Sequence, residues 1–475
     1  MNSNDDKQTV KSGLVNTIAN IFSLLVGVVM IPIISRVIPA DDIGTASIFV
    51  STRNCLTIVI AAATYDYLYK AMLEFPQNKK NYVSSIVSFI LMMTVVSFVL
   101  SLPFKTYVKN TFSLDEFLYY WLFISIAINT LGFVGHHYSV FHNKYILILL
   151  MVIATGPISQ ILGLGLAYIM PSHKYIGRIL GLDFYNMAIA IGLIGWLIFS
   201  VLQGDNIKPS VKYIKKTLVF SLPIIPHLLS QMILTQSDLI VIGRYTDSGK
   251  SGIYSMAHTV GNLAYTVLIQ ALVVWSPWVY RRLAENNKTQ VYHNSKIMIL
   301  LGSYLSVGLL TVSTELIKIF LADTYLPCIY IVPPLTCSMF FQFINVFMYD
   351  VNYYNKKSSY IAIPSIIAAV LNLILNIVFI QKFGYLAACY TTLISYFIQL
   401  VISFLFCRRL DVSHIYDIRY IVGTVIFVVA YATAMIGLRD SIIIRYVLLF
   451  AVSIILFATQ YKKVIGLFKI IKSER

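Results

Sequence analysis

Apolar stretches long enough to cross a hydrocarbon core, which takes roughly 20 residues of helix, recur along the whole chain. Candidate spans fall at 14–38, 43–68, 82–104, 114–140, 145–170 and 176–202. A second set follows at 217–243, 252–278, 291–320, 326–352, 359–380 and 385–407, and a last pair at 420–437 and 442–460. The pattern predicts fourteen helices. In lipid only helices and closed barrels satisfy the backbone, and these runs are too long and continuous for barrel strands. The linkers are short, the longest running from Gln203 to Lys216, so no segment has room for a soluble catalytic domain.

The halves of the chain echo each other. The shift that lays Arg36 on Arg244 also lays Gly44 on Gly252, Ser47 on Ser255, Asn54 on Asn262, Asn78 on Asn286, Lys80 on Lys288 and Lys174 on Lys382. Six spans fill one period. An even number makes both halves enter the membrane in the same direction, related by an axis along the membrane normal. The expected fold is an all-α polytopic membrane protein with two parallel six-helix lobes, 1–210 and 211–410, around a central cavity. Residues 411–475 add two further helices and a basic tail.

Composition sharpens this picture. Hydrophobic residues make up 58% of the chain and charged residues 12%, about half the roughly 25% charged residues of soluble domains. A net charge of +16 would suggest nucleic acid in a soluble protein. Here the basic residues cluster between spans: Lys79-Lys80, then Lys208, Lys212, Lys215 and Lys216, then Arg281-Arg282, Lys356-Lys357, Arg408-Arg409 and the tail Lys462, Lys463, Lys469 and Lys472. These loops share one side if the amino terminus is cytoplasmic, which puts both termini inside and calls for no nucleic-acid partner. Asp5, Asp6, Lys7 and Lys11 precede the first run without a small-residue cleavage site, the mark of an uncleaved span. Cys55, Cys328, Cys337, Cys389 and Cys407 have neither metal-ligand spacing nor a disulfide framework and read as packing residues.

At 100° per residue, polar groups form stripes inside the spans. The first span aligns Asn16, Asn20, Ser23 and Gly27, and its repeat partner His227, Gln231 and Asp238. The second aligns Arg53, Thr57, Ala61 and Thr64, and its partner His258, Gly261, Asn262 and Tyr265. Gln342, Asn345, Tyr349 and Tyr353 mark the tenth span, and Ser125, Asn129 and His136 the fourth. A charge at mid-bilayer costs about 2.5–3.5 kcal/mol on insertion scales, so Arg53 should face a wet cavity or a partner. Its guanidinium suits an anionic substrate group; the alternative is a structural pair with Asp238 or Asp66. Arg53, Asn20, Asn54, Arg244, Gln231, Asn262, Gln342 and Asn345 are candidate substrate contacts. Asp238, His258 and His227 are candidate coupling groups for H+ or Na+, against interfacial solvation for the carboxylate and packing for the histidines. Arg36 and Arg244 share an outer corner, as phosphate or sugar contacts or as snorkelling anchors. Asp183, Glu315 and Lys318, near outer ends, should snorkel or pair locally. Pro223 and Pro226 read as a hinge or a static kink.

The runs Ser221 to His227 (Ser-Leu-Pro-Ile-Ile-Pro-His) and Gln236 to Arg244 (Gln-Ser-Asp-Leu-Ile-Val-Ile-Gly-Arg), then Gly252-Ile253-Tyr254-Ser255 and Trp275-Ser276-Pro277-Trp278, carry a likeness. They resemble the second-lobe signature of polysaccharide flippases in the multidrug, oligosaccharidyl-lipid and polysaccharide exporter superfamily. The resemblance implies a flippase, not an enzyme, that moves undecaprenyl-pyrophosphate-linked oligosaccharides across the bacterial cytoplasmic membrane by alternating access through a cationic cavity. It implies membrane lipids, a polysaccharide polymerase and chain-length machinery as partners, and no cofactor beyond a coupling ion. In the family a basic residue often follows the signature Asp; here the position is Leu239, so cavity charge must come from elsewhere, Arg53 being the candidate.

Three other functions compete. A lipid II flippase differs only in substrate. A cation-coupled multidrug exporter usually has twelve spans and acidic drug sites, against fourteen and a basic balance here. A membrane-embedded glycosyltransferase or polymerase would use Asp41-Asp42 for metal, yet the loop is very short, the repeat partner is Gly249-Lys250, and capping of span two explains the pair better. No Walker loop, metal-site spacing or nucleophile constellation is present.

Overall fold

The computed structural model describes residues 22–23, 25–142, 149, 151–410 and 415–455. Asn16, Asn20 and the basic tail lie outside them. Regular structure among the described residues is helical throughout. Twelve helices there are long and apolar enough to cross a membrane, and two shorter apolar ones, Leu25–Val37 and Ile442–Ile455, border residues outside the described set. Each expected span meets one of them, and the chain is a multi-pass membrane protein.

In chain order the helices are α1 (Leu25–Val37), α2 (Ala40–Ile60), α3 (Leu68–Glu74), α4 (Lys79–Ser101), α5 (Lys105–Thr111), α6 (Glu116–Phe141), α7 (Met151–Ile169) and α8 (Lys174–Leu202). There follow α9 (Val211–Ser221), α10 (Ile225–Tyr245), α11 (Ser248–Gly261), α12 (Leu263–Ala284), α13 (Lys288–Glu315) and α14 (Cys328–Tyr354). Last come α15 (Ser359–Phe383), α16 (Ala387–Arg408), α17 (Ile418–Gly437) and α18 (Ile442–Ile455). They form two compact units, one of Met1–Ser255 with Ala369–Ala388, the other of Met256–Ala368 with Cys389–Arg475.

Where the helices break, the chain departs from its apolar pattern. The span expected at 217–243 divides into α9 and α10 around Pro223, whose missing N–H cannot continue the ladder. The span expected at 252–278 is interrupted at Asn262, between α11 and α12. The second span, expected to run to residue 68, stops at Ile60, and a 3-10 turn, Thr64–Tyr67, follows. Between them Ala62 and Ala63 both take φ of 49°, a left-handed conformation that costs a residue with a Cβ about 1–2 kcal/mol. Both are buried.

In the first unit Phe49, Leu118, Leu122, Ile126 and Ile179 make one buried cluster; Leu68, Met72, Tyr82, Ile86, Leu131 and Val134 make another. Helices α7 and α8 meet backbone to backbone: a Cβ on Gly181 would lie 2.2 Å from Gly163 Cα. Such small-residue contacts replace the hydrophobic drive that lipid removes. Asp41 and Asp42 lie in the first turn of α2 without capping it by side chain. Instead Asp42 accepts from the Tyr175 backbone N–H at 3.2 Å, serving the start of α8.

The internal repeat appears as a contact. Ser47 and Ser255, 208 residues apart, hydrogen-bond through their hydroxyls at 2.8 Å. A Cβ on Gly44 would lie 1.7 Å from Ser248 O, and one on Gly252 2.0 Å from Ala40 O. Exchanging each residue for its repeat equivalent turns one of these contacts into the other. That is the self-complementary signature of a twofold axis. Since rising numbers on α2 meet rising numbers on α11, the helices run parallel and the axis lies along them.

In the second unit α14 is the buried core, with Ile331, Val332, Leu335, Phe343, Ile344, Phe347 and Val351 out of contact with solvent. Asp417 caps α17 through the Tyr420 N–H at 3.1 Å and pairs with Lys296 of α13 at 2.6 Å. The Lys296 hydrogen bond is the main reason its carboxyl is pulled down to about 2. Glu315, expected to pair locally, instead forms an ion pair with the fully buried Arg445 of α18, which also donates to Thr311 O at 2.7 Å. Lys318 likewise pairs across the chain, with Asp440 at 3.5 Å. Cys328, Cys337, Cys389 and Cys407 are buried and Cys55 is half-buried, all as free thiols.

Two measurements test these features. Ala62→Gly relieves left-handed strain of about 1–2 kcal/mol but gives up a buried methyl worth about 0.8 kcal/mol and adds unfolded-chain entropy. Thermal unfolding should therefore barely move, whereas Ala46→Gly inside α2 should cost about 1.5 kcal/mol. Equal losses at the two sites would contradict the strain. The Ser47→Cys/Ser255→Cys variant should form a disulfide under mild oxidant, and adding Gly44→Ala should suppress it. Cross-linking undiminished by Gly44→Ala would mean that the backbones do not approach at that glycine.

Candidate functional site

Arg53 lies beyond the middle of α2, at the buried junction with α6 and α8. Its guanidinium forms an ion pair with Asp183 of α8, which is 1% exposed. The second carboxylate oxygen, Oδ2, accepts from Trp121 Nε1 at 2.9 Å and Ser125 Oγ at 2.6 Å. The other guanidinium nitrogens reach amides: Nε and Nη2 lie 3.4 and 3.3 Å from Asn54 Oδ1. With the Asn129 amide oriented carbonyl inward, it accepts from Nε and Nη2 at 2.9 and 3.2 Å. The partner of Arg53 is thus Asp183, and neither Asp238 nor Asp66. Asp183 pairs across 130 residues of sequence rather than locally.

Asp238 anchors a second polar cluster in the same unit. Its Oδ1 accepts from Asn376 Nδ2 at 2.6 Å and its Oδ2 from the Tyr254 hydroxyl at 2.5 Å. Asn376 also donates to Asn372 Oδ1 at 3.1 Å, which receives the Ser237 hydroxyl at 3.0 Å. A carboxylate, two amides and two hydroxyls converge from α10, α11 and α15, all but fully buried.

A third cluster lies in the second unit. Asn345 and Gln399 both donate to the Tyr349 hydroxyl, at 2.9 and 2.8 Å, and Gln399 also donates to Ser365 at 3.1 Å. Gln342 stands beside Tyr265. Asn262 occupies the break between α11 and α12, half-buried. His258 in the last turn of α11 and His227 in the first turn of α10 are half-buried, as is Gln231. Arg36 and Arg244 are exposed, Arg244 lying over the Tyr245 ring at 5.7 Å. Among the described residues no three His, Cys, Asp or Glu side chains come together as metal ligands.

Of the candidates, Arg53 and Asn54 stand in the first cluster, Asp238 in the second and Asn345 in the third. Asp183, Trp121, Tyr254, Asn372, Asn376 and Gln399 complete them and were missed from sequence. Asn372 and Asn376 were findable, being two amides four residues apart in an otherwise apolar run.

Removing one partner of a buried ion pair costs about 3–5 kcal/mol, while replacing both by apolar groups of similar size is often neutral. Arg53→Met and Asp183→Leu should each destabilise the purified protein by that order, and the double variant by far less. Additive losses in chemical denaturation would show that the two charges do not depend on each other.

Comparison with known proteins follows the same lines. The chain is similar in structure to the lipid II flippase MurJ in its inward closed conformation, with TM-score 0.71, 16% identity, and coverage of 95% of this chain and 100% of that one. It is also similar to an inward-facing multidrug resistance MATE family transporter of the MOP superfamily, with TM-score 0.64 and 11% identity over 85% of this chain and 98% of the other. These likenesses establish a shared fold. A search of curated proteins finds no match. Residues 9–281, more than half of the sequence, match the family described as polysaccharide biosynthesis protein, and the chain belongs to that family.

Proposed function

We propose that this protein flips undecaprenyl-pyrophosphate-linked oligosaccharide repeat units across the bacterial cytoplasmic membrane by alternating access, for surface polysaccharide assembly. The observation that carries the reading is a polysaccharide biosynthesis chain with the fold of a lipid II flippase along nearly all its length. A pyrophosphate bearing sugars cannot cross hydrocarbon, because its charges and hydroxyls would lose their water without replacement. Polar clusters on membrane helices supply replacements while the lipid tail stays in the bilayer.

In this reading Arg53 meets the pyrophosphate by exchanging Asp183 for it. Its planar fork suits phosphate oxygens, and Trp121 and Ser125 keep the released carboxylate hydrogen-bonded meanwhile. Asp238 is the coupling position, since its carboxylate with the Asn372 and Asn376 amides and the Ser237 hydroxyl offers hard oxygen donors for H+ or Na+. The likeness to MurJ favours one second reading, in which the cargo is lipid II itself.

The test is cellular. In cells lacking this protein, lipid-linked oligosaccharide should accumulate on the inner leaflet while glycan assembly itself stays intact; accumulation of lipid II instead selects the second reading. Arg53→Gln/Asp183→Asn, which removes both charges together, should insert at the parental level yet leave flipping at least tenfold down. Restored flipping would reduce Arg53 to a structural role.

A further inference from the structure

The second unit contains a buried carboxylate that forms no ion pair among the described residues. Asp350, in the last turn of α14, is 2% exposed. Its Oδ1 accepts from the Tyr280 hydroxyl of α12 at 3.0 Å. Oδ2 is buried and makes no hydrogen bond, although Ser276 of α12 stands near the carboxylate. Two further polar atoms of this unit are equally buried and unmatched, Asn352 Nδ2 and the Tyr416 hydroxyl, the latter within electrostatic reach of Asp350. Asn352 has its Oδ1 turned to the Cys407 thiol at 3.4 Å.

The titratable groups set against this carboxylate are tyrosines: Tyr280 from α12, Tyr353 on α14 itself and Tyr416 just before α17. From α13, Lys296 is engaged with Asp417 at 2.6 Å. Among the described residues no Lys, Arg or His forms an ion pair with Asp350.

An ionised carboxylate taken out of water without a partner is held only at a cost of several kcal/mol, and such a group is neutralised instead. The surroundings decide by what. The Asp350 carboxylate with the Tyr280 hydroxyl is too sparse a shell for sodium or calcium. A proton needs only one oxygen to bind, and Asp350 Oδ2 is the one left unmatched. The aqueous surface is one turn away, since Tyr353, Tyr354 and the 355–358 turn are exposed.

We infer that Asp350 is a proton-binding site, held in the fold as a neutral carboxylic acid and exchanging its proton with water at the 355–358 end of α14. It is separate from the Asp238 cluster and does not depend on what the protein carries.

Infrared spectroscopy of the full chain in lipid nanodiscs at neutral pH tests this without a transport assay. The parent should show the carbonyl-stretch band of a buried protonated carboxyl; Asp350→Asn should lose it, and Tyr280→Phe should keep it at a shifted frequency. If Asp350→Asn fails to fold, the shift in Tyr280→Phe and the band in Asp350→Glu still decide. Absence of the band from the parent, or its survival unchanged in Asp350→Asn, overturns the inference. So does a band that vanishes when sodium chloride replaces choline chloride, which would make the ligand a sodium ion.

Discussion

A carboxylate inside a membrane has to be neutralised by something, and the fold is organised around that requirement. The described residues show several solutions. Asp183 is answered by Arg53 and two neutral donors, and Glu315 by Arg445, whose remaining bond goes to a backbone carbonyl. Asp238 is wrapped by a tyrosine and an asparagine. Asp350 has one tyrosine and, on the inference above, a proton. A full ion pair such as Glu315 with Arg445 binds its helices together, because removing one partner strands a charge at several kcal/mol. A carboxyl met by a neutral donor, as Asp350 is by Tyr280, can gain or lose a proton at less cost.

The spans were legible because the bilayer imposes a length that the sequence must meet with apolar residues. The repeat was legible for a related reason: Gly44, Gly252, Ser47 and Ser255 meet at a twofold contact where a larger side chain would collide with backbone. The breaks were harder to see. Pro223 announced the one before α10, but nothing in Ala61-Ala62-Ala63 does, since alanine is the best helix former. The turn there is imposed by packing, and local preference lost.

The partner of Arg53 was hidden by a matter of depth. Helix α8 runs from Lys174 to Leu202, longer than a perpendicular span needs. Counted from the span edge, Asp183 looks interfacial; in the folded chain it is buried beside Trp121 and Ser125. A sequence gives the order of residues along a helix but not its tilt, and tilt decides which charges share a layer. The same limit applied to Glu315 and Arg445, which are 130 residues apart.

The contact between α2 and α11 is of another kind. It rests on glycine packing and one hydroxyl pair, Ser47 with Ser255, and a neutral hydrogen bond contributes only about 0.5–1.5 kcal/mol net. Separating these helices would expose no charge, and both hydroxyls could turn to water or to a backbone carbonyl. Because the contact is self-complementary, its two halves form and break as one. On the proposed function, a seam of this sort, weak, uncharged and cooperative, is where two states can part, while an ion pair such as Glu315 with Arg445 keeps its own helices together.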